Sequence, residues 1–274
     1  MKGSEVPEIF PNIPVPDYDL TKAAGGPPLN KRKVALISTA GLMHRGEPAF
    51  SIDSIDYRII DSKDETELVM SHVSVNFDRT GFATDYNVVF PIDRLREKVA
   101  AKEVGELSRY HYSFMGAVSP EKLRPAAAEL SKNLLADKVD GVILIPICPA
   151  CTRAVCGLAH YLERTGIPTV ALSLVPQQAK KISPPRVLSL PFVLGRPLGS
   201  PKDASFQHRV LDAALGLLTQ TDGPIFLEFT EEVPRGAQTS EDWICPISFS
   251  KEEAKEEDLP ASIKKRDVSS ETLV

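Results

Sequence analysis

The residues from Gly141 to Ile147 form an apolar run that ends directly at Cys148-Pro149-Ala150-Cys151. The run is too short to cross a bilayer and shows no polar alternation, so it predicts a strand buried on both faces of a parallel sheet. In open α/β sheets, ligands gather where a strand ends and a helix begins. Two thiols at such a junction can cycle between dithiol and disulfide, or they can bind a metal ion.

Segments of strand length alternate with helical patterns along the central part of the chain. Further strands are predicted at 33–39, 57–60, 73–77, 168–174, 187–190 and 224–229. Helices are predicted at 91–102, 120–138, 152–164 and 203–219. This alternation predicts an α/β fold, with a mostly parallel sheet and helices on both of its faces.

The two ends of the chain differ in composition from the centre. Residues 1–30 are rich in proline and glycine, which predicts an extended arm that lies on its own domain or on a partner subunit. Residues 31–249 are expected to form a single α/β domain. Lys, Glu, Asp and Ser dominate residues 250–274, which predicts a disordered tail.

Charge and hydropathy exclude some classes of function. The formal net charge is −5, so there is no electrostatic case for binding nucleic acid. We expect no membrane span, since no apolar stretch is long enough, and the acidic, proline-rich N-terminus is unlike a signal peptide. We therefore expect a cytoplasmic protein, in which four cysteines are more often catalytic or metal-binding than structural disulfides.

The first interpretation of the cysteine motif is a redox pair. If Cys148 caps the following helix and Pro149 is its first residue, the Cys148 thiol lies beside free backbone amides, which favour a thiolate. Cys151 follows three residues later and is close enough to resolve a disulfide formed at Cys148.

The second interpretation is a zinc site. Cys156 and His160 are four residues apart and share a helix face, so Cys148, Cys151, Cys156 and His160 could supply a tetrahedral set. The five-residue step from Cys151 to Cys156 fits such a set poorly on a regular helix. A third interpretation is that these small residues only pack a tight turn.

Polar residues elsewhere could complete a site. On the strand predicted at 73–77, His72, Ser74 and Asn76 would share one face, close to Asp78 and Arg79. Arg79 is suited to bind a substrate carboxylate, although a hydrogen-bonded loop with Arg79 in a structural ion pair explains the segment equally well. His44 and Arg45 follow the first strand, where ligands also collect, but a solvated loop is an alternative there.

Several of these segments together resemble one protein family. They are AGLMHRG at 40–46, SHVSVNFDR at 71–79, VFPIDRL at 89–95, YSFMG at 112–116 and IPICPAC at 145–151. In this order, they resemble the B subunits of glycine, sarcosine and betaine reductases and of D-proline reductase, the selenoprotein B family. The resemblance spans residues 31–230.

The resemblance implies a reductive chemistry. Members of the family cleave a C–N bond at a selenol or thiol, with electrons from dithiols, and they work in assemblies with pyruvoyl-bearing or acetyl-phosphate-forming subunits. By this resemblance, the cysteine junction occupies the place of the redox-active selenocysteine/cysteine motif, with ordinary cysteine in this chain.

Two hypotheses of function follow. The first is a dithiol-dependent oxidoreductase acting on a small carboxylate substrate, with Cys148 as nucleophile and Cys151 as resolving thiol. His72 or His44 would move protons, while Arg79 or Arg45, with Asn76 and Asp78 nearby, would bind the substrate. It would need no tightly bound cofactor, only an external dithiol donor such as thioredoxin, and would form a homo-oligomer or join a partner subunit. The second is a structural or interaction protein that holds zinc with the four ligands named above.

Overall fold

The computed structural model describes residues 12–64 and 66–233. Within them, the strands are β1 (Lys33–Ser38), β2 (Leu42–His44), β3 (Tyr57–Asp61), β4 (Leu68–Met70), β5 (Glu106–Leu107), β6 (Tyr110–Phe114), β7 (Gly141–Ile145), β8 (Thr169–Ser173), β9 (Arg186–Ser189) and β10 (Ile225–Glu228). The α-helices are α1 (Thr80–Thr84), α2 (Ile92–Ala100), α3 (Arg124–Ala136), α4 (Cys151–Glu163), α5 (Pro176–Ile182) and α6 (Ala204–Leu218). The predicted tail at 250–274 and the first residues of the predicted arm lie outside the described part.

A mostly parallel sheet organises the domain. Its strands follow the order β10-β9-β8-β7-β1-β6-β3, and β5 pairs with the start of β1. Every pairing is parallel except that of β3, which runs antiparallel to β6 at one edge. The α/β class predicted from the sequence is confirmed.

Helices cover the sheet on both faces, and β7 shows why the apolar run predicted this. Val142 and Leu144 point into the core formed with α3 and α4, while Ile143 and Ile145 point into the core formed with α2 and α6. All of β7 is buried. A strand with two buried faces requires apolar residues at successive positions rather than at alternate ones.

The described part of the arm, from residue 12 onward, lies on its own domain. The Tyr18 ring stacks on His160 of α4 with centroids 4.2 Å apart, and the Thr21 hydroxyl lies 2.8 Å from His160 Nδ1. Further along, the Ala24 amide donates to Glu163, which forms a fully buried ion pair with Arg186. The arm is therefore part of the folded domain, anchored on α4.

The predicted strand at 73–77 is wrong. Val73, Val75 and Phe77 alternate as a strand would, but Val75 is 82% exposed. The His72 ring accepts a hydrogen bond from the Ser74 amide, and the Ser74 hydroxyl accepts one from the Asn76 amide. Such local bonds replace strand pairing. The strand before this segment is instead β4, which pairs antiparallel with β2 in a separate ribbon.

Other differences concern element boundaries. Cys148 is not the cap of a helix that starts at Pro149, since α4 begins at Cys151 with Ala150 as its N-cap. A 3₁₀ turn at Pro120–Leu123 precedes α3, and α5 was not predicted. Among the described residues, the helices are all too short or too polar to cross a bilayer.

Candidate active site

Three strand ends meet at the site. β1 lies between β6 and β7, and their carboxyl ends lead into Thr39, into Met115 and Gly116, and through Ile147 into Cys148. The chain passes from β1 to β6 on one side, then crosses to β7 on the other side. In an open parallel sheet, such a reversal leaves a crevice at the carboxyl edge, which is where ligands bind.

The two cysteines are direct neighbours there. Their Sγ atoms are 2.6 Å apart, and the Cys151 amide donates to the Cys148 carbonyl at 3.1 Å, which closes the turn before α4. Both are free thiols, 1% exposed at Cys148 and fully buried at Cys151. Because the sulfurs already face each other, a disulfide needs little backbone movement.

His72 completes the cluster from the loop after β4. Its Nε2 lies 3.4 Å from Cys151 Sγ, while its Nδ1 accepts the Ser74 amide at 3.0 Å. A backbone N–H can only donate, so Nδ1 carries the lone pair and the proton of the neutral ring is on Nε2. His72 therefore donates a hydrogen bond to the Cys151 sulfur.

These contacts shift the pKa values of the two thiols in opposite directions. Burial alone would raise the pKa of the Cys151 thiol, but hydrogen bonds from Cys148 and His72 and the field of the His72 ring hold that pKa well below its ordinary value. Burial, together with its hydrogen bond to Cys151, raises the pKa of the Cys148 thiol well above its ordinary value. The arrangement therefore favours a Cys151 thiolate beside a protonated Cys148.

Two glycines allow the strand ends to close around the cluster. Gly116 has φ +73°, and a Cβ there would lie 2.5 Å from Thr39 Cβ and 3.2 Å from Cys151 Sγ. Gly41 has φ +61°, and its Cβ would lie 2.9 Å from the His72 amide nitrogen. Both positions need glycine for its backbone conformation and for the space it leaves.

Arg79 holds the loop that carries His72. Its guanidinium donates to the carbonyl of His72 and, at 2.7 Å, to the carbonyl of Ser74. It also lies 5.0 Å over the Phe77 ring, and that ring meets His72 edge to face at 5.0 Å.

The other residues predicted to bind substrate have different surroundings. The Asp78 carboxylate is buried and pairs with Arg196 and Thr80. Asn76 is exposed on the His72 loop. Neither residue is among the contacts of the two sulfurs.

His44, the last residue of β2, and Arg45, which follows it, lie apart from the dithiol. His44 approaches Asp64 at 3.8 Å and borders a cavity of about 940 Å³, whose lining includes neither cysteine nor His72. Arg45 is exposed and pairs with Glu67. The structure therefore brings Cys148, Cys151 and His72 together and leaves His44 and Arg45 outside this cluster.

The four residues predicted as a zinc set do not come together. Both ring nitrogens of His160 are engaged, by Thr21 and by the Ile182 carbonyl, and burial raises the pKa of the Cys156 thiol. In the described part of the chain, the group whose ligand atoms could hold a metal is His72, Cys148 and Cys151, within 4.8 Å of one another.

The chemistry of this group does not fit zinc. Zinc binds a histidine nitrogen through its lone pair, but Nε2 of His72 is protonated because Nδ1 accepts the Ser74 amide. Tetrahedral zinc also holds its sulfur ligands about 3.8 Å apart, given Zn–S bonds of about 2.3 Å. The sulfurs here are 2.6 Å apart.

Arg153, which lies two residues after Cys151 in α4, was not predicted as a site residue from the sequence. Its guanidinium donates to the carbonyls of Pro14 and Ala117, and its Nε is buried without a hydrogen-bond partner among the described residues. Burial lowers the pKa of Arg153, and negative charge on Cys148 or Cys151 acts in the opposite direction. Arg153 thus adds positive charge near the dithiol, and only its position after the motif could have signalled it.

Comparison with known proteins shows the family that the sequence resembles. The family model of the glycine/sarcosine/betaine reductase selenoprotein B matches residues 10–146, which is half of the chain. The chain belongs to this selenoprotein B family. The match ends just before Cys148, so the matched region does not include the dithiol.

Individual members of the selenoprotein B family extend the similarity further along the chain. Glycine reductase complex component B subunit gamma of Peptoclostridium acidaminophilum is 28% identical over 233 residues, 80% of this chain and 52% of that protein. Betaine reductase complex component B subunit beta of the same organism is 30% identical over 228 residues, 77% and 51% of the two chains. D-proline reductase subunit gamma of Acetoanaerobium sticklandii is 24% identical over 196 residues, 70% and 80% of the two chains.

The reductase relatives are mostly longer proteins. The chain spans about half the length of the glycine and betaine reductase subunits it matches. No solved structure matches the chain significantly.

Proposed function

We propose that this protein is a dithiol-dependent reductase component, in which Cys148 and Cys151 carry out the reductive cleavage of a C–N bond in a small carboxylate-bearing substrate. The observation that carries the proposal is the buried cluster of two adjacent thiols and a histidine that donates to one of them. The named relatives are subunits of glycine, betaine and D-proline reductases, which supports both the reaction class and the substrate class.

The reaction begins at Cys151. Its thiolate attacks the substrate carbon that bears nitrogen, after a partner subunit has activated that carbon. An S–C bond forms and the C–N bond breaks, while the amine leaves with the bonding electron pair and takes up a proton.

Cys148 then resolves this adduct. Its thiol loses a proton and attacks Cys151 Sγ, so that an S–S bond forms and the S–C bond breaks. The carbon keeps that electron pair and takes up a proton. Two electrons have passed from the dithiol to the substrate, and an external dithiol such as a thioredoxin restores both thiols by exchange.

From the sequence, Cys148 was predicted to be the nucleophile and Cys151 the resolving thiol. In the proposed reaction, Cys151 is the nucleophile and Cys148 is the resolving thiol. The reason is the lowered pKa of the Cys151 thiol and the raised pKa of the Cys148 thiol, which place the negative charge on Cys151. A thiolate rather than a thiol is the nucleophile. Since both sulfurs are buried, the residues that cover them must move before the substrate or the external dithiol reaches them.

An intact-mass redox titration with peptide mapping tests the proposal. The protein is equilibrated in dithiol buffers of graded potential, and metal content is measured on the same sample. We expect a reversible Cys148–Cys151 disulfide and no stoichiometric zinc, with an unchanged midpoint in the matched control Cys156→Ala. Thiols that never pair, in protein that retains zinc, would contradict the proposal and favour a metal site.

Single-serine variants then separate the two roles. With 5,5′-dithiobis(2-nitrobenzoate) as probe, Cys148→Ser should accumulate a stable mixed disulfide at Cys151, because the resolving thiol is missing. Cys151→Ser should react much more slowly at neutral pH. The opposite pattern would return the nucleophile to Cys148.

A further inference from the structure

The segment 72–79 links β4 to α1 without helix or strand, and it carries His72 at one end and Arg79 at the other. The two residues are seven positions apart, yet one guanidinium nitrogen of Arg79 bridges the carbonyls of His72 and Ser74. The amide of the same Ser74 sets the His72 tautomer by donating to Nδ1. The segment is thus folded around one arginine.

Phe77 connects the same two residues through their side chains. Its ring lies below the Arg79 guanidinium at 5.0 Å and meets the His72 ring edge to face at 5.0 Å. Arg79 therefore contacts the backbone that orients the imidazole and the ring that packs beside it.

We propose that Arg79 is a positioning residue, which holds the His72 imidazole against Cys151 through the carbonyls of His72 and Ser74 and the ring of Phe77. This inference deepens the proposed function and rests on it only for its effect on turnover. The sequence predicted that the Arg79 guanidinium binds a substrate carboxylate, whereas in the structure it binds two backbone carbonyls.

The hydrogen bond from the His72 imidazole to Cys151 depends on the position of the loop that carries His72. Nε2 lies 3.4 Å from Cys151 Sγ, so a movement of the loop away from the sulfur lengthens and weakens this hydrogen bond. Without Arg79, the carbonyls of residues 72 and 74 lose a charged donor, and the Ser74 amide is no longer held in line with Nδ1.

The other groups around Cys151 come from elements outside the segment 72–79. Cys148 faces it from the turn before α4, and Arg153 lies near it on α4. The ends of β1 and β6 contribute the carbonyls of Thr39 and Met115, which do not titrate. We therefore expect a change in Cys151 titration on altering Arg79 to act through His72, and a double mutant separates this route from a direct effect of the Arg79 charge.

Thiolate absorbance at 240 nm, measured against pH in the full-length protein, tests the inference without turnover. The Cys151 signal is the difference between each protein and its Cys151→Ser counterpart. We expect Arg79→Gln to raise the titration midpoint by about one pH unit, since a hydrogen bond to a charged group is lost. Arg79→Lys should restore part of the shift.

A double mutant and a matched control make the result specific. His72→Phe should raise the midpoint by itself, and adding Arg79→Gln should raise it no further. Arg109→Gln should leave it unchanged, because Arg109 likewise lies over an aromatic ring, Tyr110 at 5.1 Å, and pairs with a carboxylate away from the dithiol.

Two alternative outcomes overturn the inference, and a third rejects only the proposed function. An unchanged midpoint in folded Arg79→Gln, with a higher KM for a carboxylate substrate, would make Arg79 a substrate ligand. Additive shifts in the double mutant would mean that Arg79 acts on Cys151 directly. A shifted midpoint in a protein that forms no Cys148–Cys151 disulfide would retain the positioning role and reject only the reductase.

Discussion

Substituting Gly116 with alanine tests how closely the strand ends pack around the dithiol. At φ +73°, a side chain costs about 1–2 kcal/mol from backbone conformation alone. The new Cβ would also lie 2.5 Å from Thr39 Cβ, an overlap that must be relieved by backbone movement and that costs about 1–3 kcal/mol. We therefore expect Gly116→Ala to lower the free energy of unfolding by about 2–5 kcal/mol.

Gly166→Ala is the matched control, since Gly166 has φ +86° but a Cβ there would meet no atom of the described residues within 4 Å. It should show only the conformational cost, about 1–2 kcal/mol. Urea unfolding followed by circular dichroism, with the midpoint and slope fitted for both variants, measures the difference. Equal costs in the two variants would refute the close approach of Gly116 to Thr39. A second readout is the dithiol midpoint, which Gly116→Ala should change because the added Cβ lies 3.2 Å from Cys151 Sγ.

Three further predictions concern pH, the buried ion pair and metal. Burial lowers the pKa of His111 to about 3, so the unfolded chain binds a proton below pH 6.5 that the folded protein excludes. Stability should therefore fall as pH drops, by about 2 kcal/mol from His111 at pH 5, and His111→Gln should remove this loss in urea titrations at pH 7 and pH 5. Asp78→Asn removes the carboxylate charge beside buried Arg196 and should cost about 3–5 kcal/mol in the same assay, whereas a loss below about 1 kcal/mol would show that the pair is solvated. Treatment with a chelator should leave the thermal midpoint unchanged, because the protonated His72 Nε2 does not fit a metal, and a clear drop would contradict that tautomer.

Much of the sheet could be predicted because burial on two faces leaves a strong local signal. The apolar run before Cys148 became β7, and the amphipathic pattern after Asp203 became α6, with Asp203 accepting the Phe206 amide as its N-cap. The motif could be placed at the carboxyl edge for the same reason, since a buried parallel strand followed by a helix must turn there.

The segment 72–79 shows where local patterns fail. Its alternating apolar residues imitate a strand, yet Val75 is exposed and the backbone is held by His72, Ser74 and Arg79 side chains. Whether a short alternating segment pairs depends on a neighbouring strand, and that neighbour is supplied by the tertiary fold.

Local patterns in the chain were enough to predict the α/β class, the position of β7 and the three-residue spacing that allows Cys148 and Cys151 to meet. These follow from burial and from the geometry of one turn, which are local properties. In contrast, the three-dimensional fold was needed to show that His72, rather than Cys156 or His160, joins the pair. Five residues along a helix turn Cys156 about 140° away from Cys151. The loop after β4, from a distant part of the chain, brings an imidazole within 3.4 Å of the Cys151 sulfur and so selects which thiol carries the charge.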